Sequence, residues 1–195
     1  LIGVDNLKKF GVKVLVSFTA QKCNYKDYPE LVKVCKKHKV DKIWWDRLVT
    51  YSKEDTETKA LSTCEFKELI EITNRLRKKH NIFSKSFNVS NERALQFIGS
   101  DDCGYVCGAG GNLIIFLADG SVMPCRRIPF IIGNIKEKSL EEIINSSDLM
   151  QNLKRFYAPI ECYSCKNFMK CRGGSKCITY AQTGNLYQKD VNCFI

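Results

Sequence analysis

The sequence predicts an α/β unit followed by a small cysteine-rich α+β domain with a β-hairpin. Three observations carry this reading. Through residues 1–99, strand-like apolar runs alternate with helical stripes. From residue 100 to residue 195 the composition differs, and a hairpin pattern centred on Asp119-Gly120 opens the new region. Cysteines then crowd the chain, five of its eleven lying between Cys162 and Cys193.

In chain order, residues 5–10 read as the end of a helix stopped by Gly11, and 12–18 as a strand. A polar stretch over 19–27 leads to a helix at 28–38, which places Leu31, Val32, Val34 and Cys35 at helical spacing. D-K-I-W-W-D-R-L-V follows as a second strand whose side chains suit a buried pleat. Residues 51–59 read as a polar loop, and 64–80 as a longer helix with Phe66, Leu69, Ile70, Thr73 and Leu76 in one stripe. Residues 82–89 are either a third strand or an extended linker. Elements of these lengths predict parallel pairing with crossover helices covering the sheet. Two or three parallel strands leave exposed edges, so partner strands must come from further sequence or from packing on the cysteine-rich half.

In the second half, L-I-I-F-L-A-D-G-S-V-M-P-C reads as a hairpin whose Asp119-Gly120 turn supplies positive φ angles and whose return strand ends in Cys125. Ser139 and Glu142 have the spacing of a capping box that opens a short helix through Asn145. A second short helix covers about 148–156. The 162–193 stretch, poor in apolar residues and with Gly173-Gly174 near its middle, reads as a loop that folds around bound metal.

The composition narrows the function classes. At 195 residues, 44% hydrophobic and 27% charged, the chain is ordinary for one sizeable domain or two small ones. No apolar run approaches the roughly 20 residues of a membrane span. The start has neither an initiator Met nor a cleavable signal pattern, and reads as the middle of a helix in a longer protein. An odd count of eleven cysteines without a signal peptide argues for reduced thiols in a cytoplasm, not a closed disulfide framework. The formal charge of +10 invites a nucleic-acid partner. No basic and aromatic groove pattern accompanies it, however, and Lys33, Lys36, Lys37, Arg75, Lys78 and Lys79 fall at the spacing of solvated helix faces.

From residue 103 the cysteines read C-x3-C-x12-G-x4-C, then C-x2-C-x5-C-x5-C-x15-C. A thiolate pair two residues apart reaches one metal centre from a single turn, and a third thiolate five residues on lets the chain fold back to it. Two four-cysteine zinc sites satisfy the same spacing. Taken with the C-R-G-G at 171–174, the pattern resembles the SPASM domain, the auxiliary iron-sulfur module of many radical S-adenosylmethionine enzymes. Sulfatase-maturing enzymes and maturases of ribosomally made peptides belong to that family. Gly120 to Cys125 matches its G-x4-C hairpin. The chain departs by inserting Ser175 and Lys176 before Cys177, where the family has C-x3-C.

The resemblance implies that Cys103, Cys107, Cys125 and Cys177 bind a first [4Fe-4S] cluster, and Cys162, Cys165, Cys171 and Cys193 a second. Two such units of charge −2 would lower the formal charge to roughly +6. More weakly, residues 1–99 resemble the last strands and helices of a partial (β/α)6 radical S-adenosylmethionine barrel. Arg47, at the end of the second strand, is the candidate cofactor-binding residue: either it meets a carboxylate of cofactor or substrate, or it pairs with Asp46 or another acid. No C-x3-C-x2-C occurs, so this chain alone is not expected to cleave S-adenosylmethionine. The intact enzyme would hold that cofactor on a third [4Fe-4S] cluster and abstract hydrogen from a peptide or protein side chain. Its electron donor would be of the flavodoxin or ferredoxin kind. The reading from a different class is a non-catalytic module in which clusters, or zinc, scaffold peptide recognition.

Cys23, Cys35 and Cys64 fall outside the pattern. Cys35 reads as a small buried hydrophobe and Cys23 as a candidate for the barrel mouth. Trp44-Trp45 reads as one covering and one core ring. His38 and His80 each end a basic helix, where a protonated ring complements the dipole.

Overall fold

The structure, a computed structural model, describes residues 1–81, 87–92, 95, 98, 107–155 and 158–195. The chain divides into two compact units, Leu1–Gly104 with Asn192–Ile195, and Tyr105–Val191. The boundary expected near residue 99 lies outside the described residues.

In the first unit, α1 (Ile2–Lys9) ends at Gly11, whose φ of 72° turns the chain toward β1 (Leu15–Ala20). The strand starts later than the apolar run suggests because Asp41 holds the lead-in: its Oδ2 accepts from Val14 N and Lys8 Nζ, each at 2.7 Å. A 3-10 turn, Tyr25–Asp27, enters α2 (Tyr28–Lys37), followed by β2 (Lys42–Arg47). The stretch expected as a polar loop contains a helix, α3 (Lys53–Lys59). It buries nothing and is built from local contacts. Ser52 Oγ caps Asp55 N at 3.0 Å, and Asp55 pairs with Lys59 at 2.6 Å. Next come α4 (Thr63–Asn81) and β3 (Asn88–Asn91), which makes 88–91 the third strand.

The three strands form a parallel sheet in the order β1-β2-β3, with Val16 opposite Ile43 and Ile43 opposite Val89. Its core is Tyr28, Val32, Ile43, Trp45, Phe66, Leu69 and Val89, all at most 1% exposed. Trp45 is the core ring of its pair, and its Nε1 donates to Thr73 Oγ1 of α4 at 2.8 Å. β1 is an edge among the described residues, with Leu15 half exposed, and α1 buries no residue.

The second unit begins with an antiparallel meander, β4 (Ile115–Phe116), β5 (Ser121–Met123) and β6 (Gly133–Asn134). The hairpin turn differs in detail from expectation. Gly120 has φ 91° while Asp119 does not enter the left-handed region; Gly120 N donates to Leu117 O and Leu117 N to Ser121 O. This is the longer loop closed by a left-handed glycine, not a two-residue turn. Then follow α5 (Leu140–Ser146), opened by the expected Ser139–Glu142 capping box, and α6 (Asp148–Lys154). The 162–193 stretch is not an open loop: it contains α7 (Ile160–Tyr163), α8 (Phe168–Cys171) and α9 (Lys176–Thr183). Among the described residues no helix is long and apolar enough to cross a membrane.

Candidate metal centre

Within the second unit, Cys107, Cys125 and Cys177 come from three elements far apart in sequence. Cys107 precedes a tight loop in which Gly108 O accepts from the N–H groups of Gly111, Asn112 and Leu113. Gly110, at φ 73°, seats that loop on α6, where a Cβ would stand 2.8 Å from Leu153 Cβ. Cys125 follows β5 and forms a bridge with Ile128. Cys177 is the second residue of α9, and Ile178 beside it is buried in the unit's core.

The three thiols share one electrostatic neighbourhood. Burial pushes the Cys107 and Cys177 thiols up, and the adjacent Cys125 adds to both effects; Cys107 also raises Cys177. Donors oppose this. The N–H groups of Ala109 and Lys176 face Cys107, Arg127 N donates to Cys125 Sγ at 3.4 Å, and Ser175 Oγ lies 3.3 Å from Cys177 Sγ. Partly buried thiols met by N–H donors suit thiolate ligands, whose negative charge those donors stabilise. Cys103 lies outside the described residues.

The other group lies along α7 and α8. Nested turns carry the chain from Cys162 to Cys165 to Cys171, with Cys165 N on Cys162 O at 3.1 Å and Phe168 N on Cys165 O at 2.9 Å. After Cys171 the chain reverses through three left-handed residues, Arg172, Gly173 and Gly174, at φ 49°, 82° and 83°. Gly174 is required twice over, since a Cβ there would stand 2.3 Å from that of Asp190. Asp190 Oδ2 accepts from Ser175 N and fixes the start of α9. Cys193 belongs with the first unit and is half buried, its Sγ 3.9 Å from Ile195 O.

Lys176 was noticed in sequence only as part of an insertion. It is 5% exposed, and its Nζ has no hydrogen-bond partner among the described residues. Burial lowers its pKa, while Cys107, Cys162, Cys171 and Asp190 pull it upward. A side chain of this type signals solvent to any hydropathy count, so only the spacing departure pointed here. Among the described residues, no three His, Cys, Asp or Glu side chains close on a single-ion site.

Residues 107–166 match the family described as the SPASM iron-sulfur cluster-binding domain. Along its full length the chain is 26% identical to Fe-coproporphyrin III synthase of Methanosarcina barkeri, covering 56% of that protein. It superposes on Streptococcus suis SuiB bound to S-adenosylmethionine with a TM-score of 0.63 and 19% identity, over 98% of this chain and 47% of SuiB. The AdoMet-bound structure of anSMEcpe gives a TM-score of 0.71 and 16% identity, over 96% of this chain and 51% of that one. The fold is the mixed α/β arrangement found in these solved structures. The chain spans about half the length of these relatives.

Outside residues 107–166, Arg47 is buried, with Nη1 on Asn192 Oδ1 at 2.9 Å and its guanidinium 5.0 Å over the Phe66 ring. Asp46 Oδ1 accepts from the Arg47 backbone N–H. Cys35 is buried and Cys23 and Cys64 are exposed. His38 Nδ1 lies 2.6 Å from Asp5 Oδ1. His80 departs from the expected protonated ring: burial lowers its pKa, and Lys36 and Lys79 lower it further.

Proposed function

We propose that the intact protein is a radical S-adenosylmethionine oxidoreductase that modifies a peptide or protein side chain. This chain then supplies the end of its barrel (1–99) and a SPASM domain (100–195) holding two [4Fe-4S] clusters. The observation that carries the reading is the group of Cys107, Cys125 and Cys177, the last buried and the other two partly so, met by N–H donors from Ala109, Lys176 and Arg127. Cys103 completes the first ligand set; Cys162, Cys165, Cys171 and Cys193 form the second. Bound clusters supply one-electron transfer. The chain's own residues stabilise sulfur charge, fix the ligand turns at Gly110 and Gly174, and shield the thiols from water. The exposed edge of β1 suits continuation of the sheet by further barrel strands, with S-adenosylmethionine and a third cluster held in that part. Arg47 is the candidate contact to a cofactor carboxylate.

A peptide substrate is supported by two fold relatives, SuiB bound to its precursor peptide SuiA and anSMEcpe with AdoMet and the Kp18Cys peptide. A tetrapyrrole is the second reading, favoured by the name of the Methanosarcina barkeri relative. The formal charge of +10 suits an acidic electron donor of the flavodoxin or ferredoxin kind, and the reduced thiols suit the cytoplasm.

Anaerobic reconstitution with iron and sulfide tests the metal. Broad charge-transfer absorption and about eight irons per chain are expected. A colourless protein that retains zinc overturns the cluster reading and leaves a metal-scaffolded recognition module. For the substrate, the intact protein is incubated with S-adenosylmethionine, a reductant and either peptide or coproporphyrin. A mass change in the peptide supports the first reading, and one in the coproporphyrin alone overturns it.

A further inference from the structure

We propose that Lys176 is a positioning residue of the SPASM domain: its buried ammonium donates to sulfur at the cluster site and favours the reduced cluster. This inference rests on the cluster reading above. A lysine ordinarily extends its ammonium to water even when its stem is covered. Lys176 does not. It is 5% exposed, and none of its Nζ protons finds an acceptor among the described residues. Its side chain doubles back over the C-R-G-G turn. A Cβ built on Gly173 would stand 3.3 Å from Nζ, 3.2 Å from Pro159 Cδ and 3.4 Å from Ala158 Cβ. The absence of a side chain at Gly173 leaves room for the ammonium.

An ammonium withdrawn from water without a partner is costly, and the cost is offset where negative charge lies close by. Burial disfavours the charged form of Lys176, and the groups that act against it are Cys107, Cys162, Cys171 and Asp190. Three of the four are thiols, one from the first proposed ligand set and two from the second. The backbone N–H of Lys176 also faces Cys107, so the residue addresses that sulfur environment from main chain and side chain together. Its place as the first residue of α9 adds the positive end of the helix dipole. Lys176 is one of the two residues by which the ligand spacing exceeds the C-x3-C of the family, so the insertion brings in a charged donor.

The redox consequence follows from charge. Reduction adds one electron from a reductant of the reduced ferredoxin or dithionite kind, taking [4Fe-4S]2+ to [4Fe-4S]+ with no proton leaving Lys176. A fixed positive charge beside the cluster stabilises the more negative state and raises its potential.

The test compares the reconstituted wild-type chain with Lys176→Met and Lys176→Arg by dithionite titration, reading the reduced cluster by electron paramagnetic resonance and iron by chemical assay. In Lys176→Met the reduced-to-oxidised ratio at fixed potential should fall about tenfold, a midpoint shift of about 59 mV for a one-electron couple. Lys176→Arg should restore part of it. If Lys176→Met loses iron while Lys176→Arg keeps it, the charged donor is needed to hold the cluster, which also supports the proposal. Iron lost in both variants, equal shifts in both, or an unshifted Lys176→Met with full iron overturns it in favour of a packing role. Absence of iron from the wild type would instead overturn the cluster reading, and this inference with it.

Discussion

Arg47 Nη1 donates to Asn192 Oδ1 at 2.9 Å, joining the end of β2 to a residue 145 positions later in the chain. Asn192 is 3% exposed, and its amide nitrogen also donates to Leu61 O at 3.0 Å. Phe194, two residues on, packs against Phe66, the ring that lies under the Arg47 guanidinium. One buried amide thus ties the C-terminal residues to β2 and to the segment before α4. Asn192→Leu removes both bonds while keeping similar bulk. It is expected to cost about 2 kcal/mol, because a buried cation loses an acceptor. Asn192→Asp keeps the acceptor and should retain most of the stability. Urea midpoints of the chain check this, and equal midpoints for Asn192→Leu and wild type would refute it.

His80 predicts a pH dependence. Its ring is buried at the end of α4, 5.9 Å from the Phe87 ring in an edge contact, with Lys36 Nζ 3.4 Å from Nδ1. An ammonium donating to Nδ1 requires that nitrogen to be unprotonated. Burial comes first and Lys36 and Lys79 next in lowering the pKa below its ordinary value near 6.5. The unfolded chain therefore takes up a proton near pH 6.5 that the folded chain resists. Stability from this group is complete above that pH and is lost as pH falls through 6.5 and below. His80→Leu should shrink the difference between urea midpoints at pH 7.5 and 5.5. An unchanged difference would place the acid sensitivity elsewhere.

The parts of the fold legible in sequence were those that bury an apolar stripe or carry a local signature. Val32 and Cys35 in α2, and Phe66, Leu69, Ile70 and Thr73 in α4, repeat at helical spacing because that face meets the sheet. Ser139 and Glu142 form the capping box their spacing announced. By contrast α3 buries no residue, so a search for stripes passes over it; its signal was Ser52 three residues before Asp55, with Lys59 four further on. The helices of the cysteine-rich stretch were hidden for the opposite reason. α9 buries Lys176, Cys177 and Thr179 beside Ile178, and a hydropathy reading assigns two of those four to solvent. Its end was readable at Gly184, which takes φ 73° and closes on Tyr180 O. The spacing of the cysteines was legible as a pattern, whereas the donors around Cys107, Cys125 and Cys177 depend on backbone geometry that no spacing encodes.

Packing of the meander predicts a specific coupling. Gly133 of β6 lies against Ile143 of α5, which is 1% exposed; a Cβ at 133 would stand 2.8 Å from Ile143 Cγ1 and 2.9 Å from Cγ2. Gly133→Ala should therefore destabilise by about 1–3 kcal/mol through overpacking. Ile143→Ala alone should cost about 2–5 kcal/mol through the cavity it leaves. Together they should cost clearly less than the two added, since the new methyl enters the space that Ile143 vacates. Additive losses in thermal unfolding would show that the strand and helix accommodate the methyl independently.

Cys177 and Cys193 bear the sharpest prediction about ligand pairing, because they are the last two cysteines of the chain and are proposed to serve different clusters. Cys177 shares its electrostatic surroundings with Cys107 and Cys125, so Cys177→Ala should reproduce the spectrum of Cys125→Ala. Cys193→Ala should instead reproduce that of Cys165→Ala. Each substitution is expected to lower iron from about eight to about four per chain if one cluster is lost and the other kept. The iron count alone does not separate the variants; the electron paramagnetic resonance signal of the surviving cluster does. Matching signals for Cys177→Ala and Cys193→Ala would mean that both cysteines serve one site, and the interleaved assignment would fall. Distinct signals, each paired with its proposed partner variant, would establish that Cys177 crosses from the stretch in which it sits to the cluster held by Cys107 and Cys125.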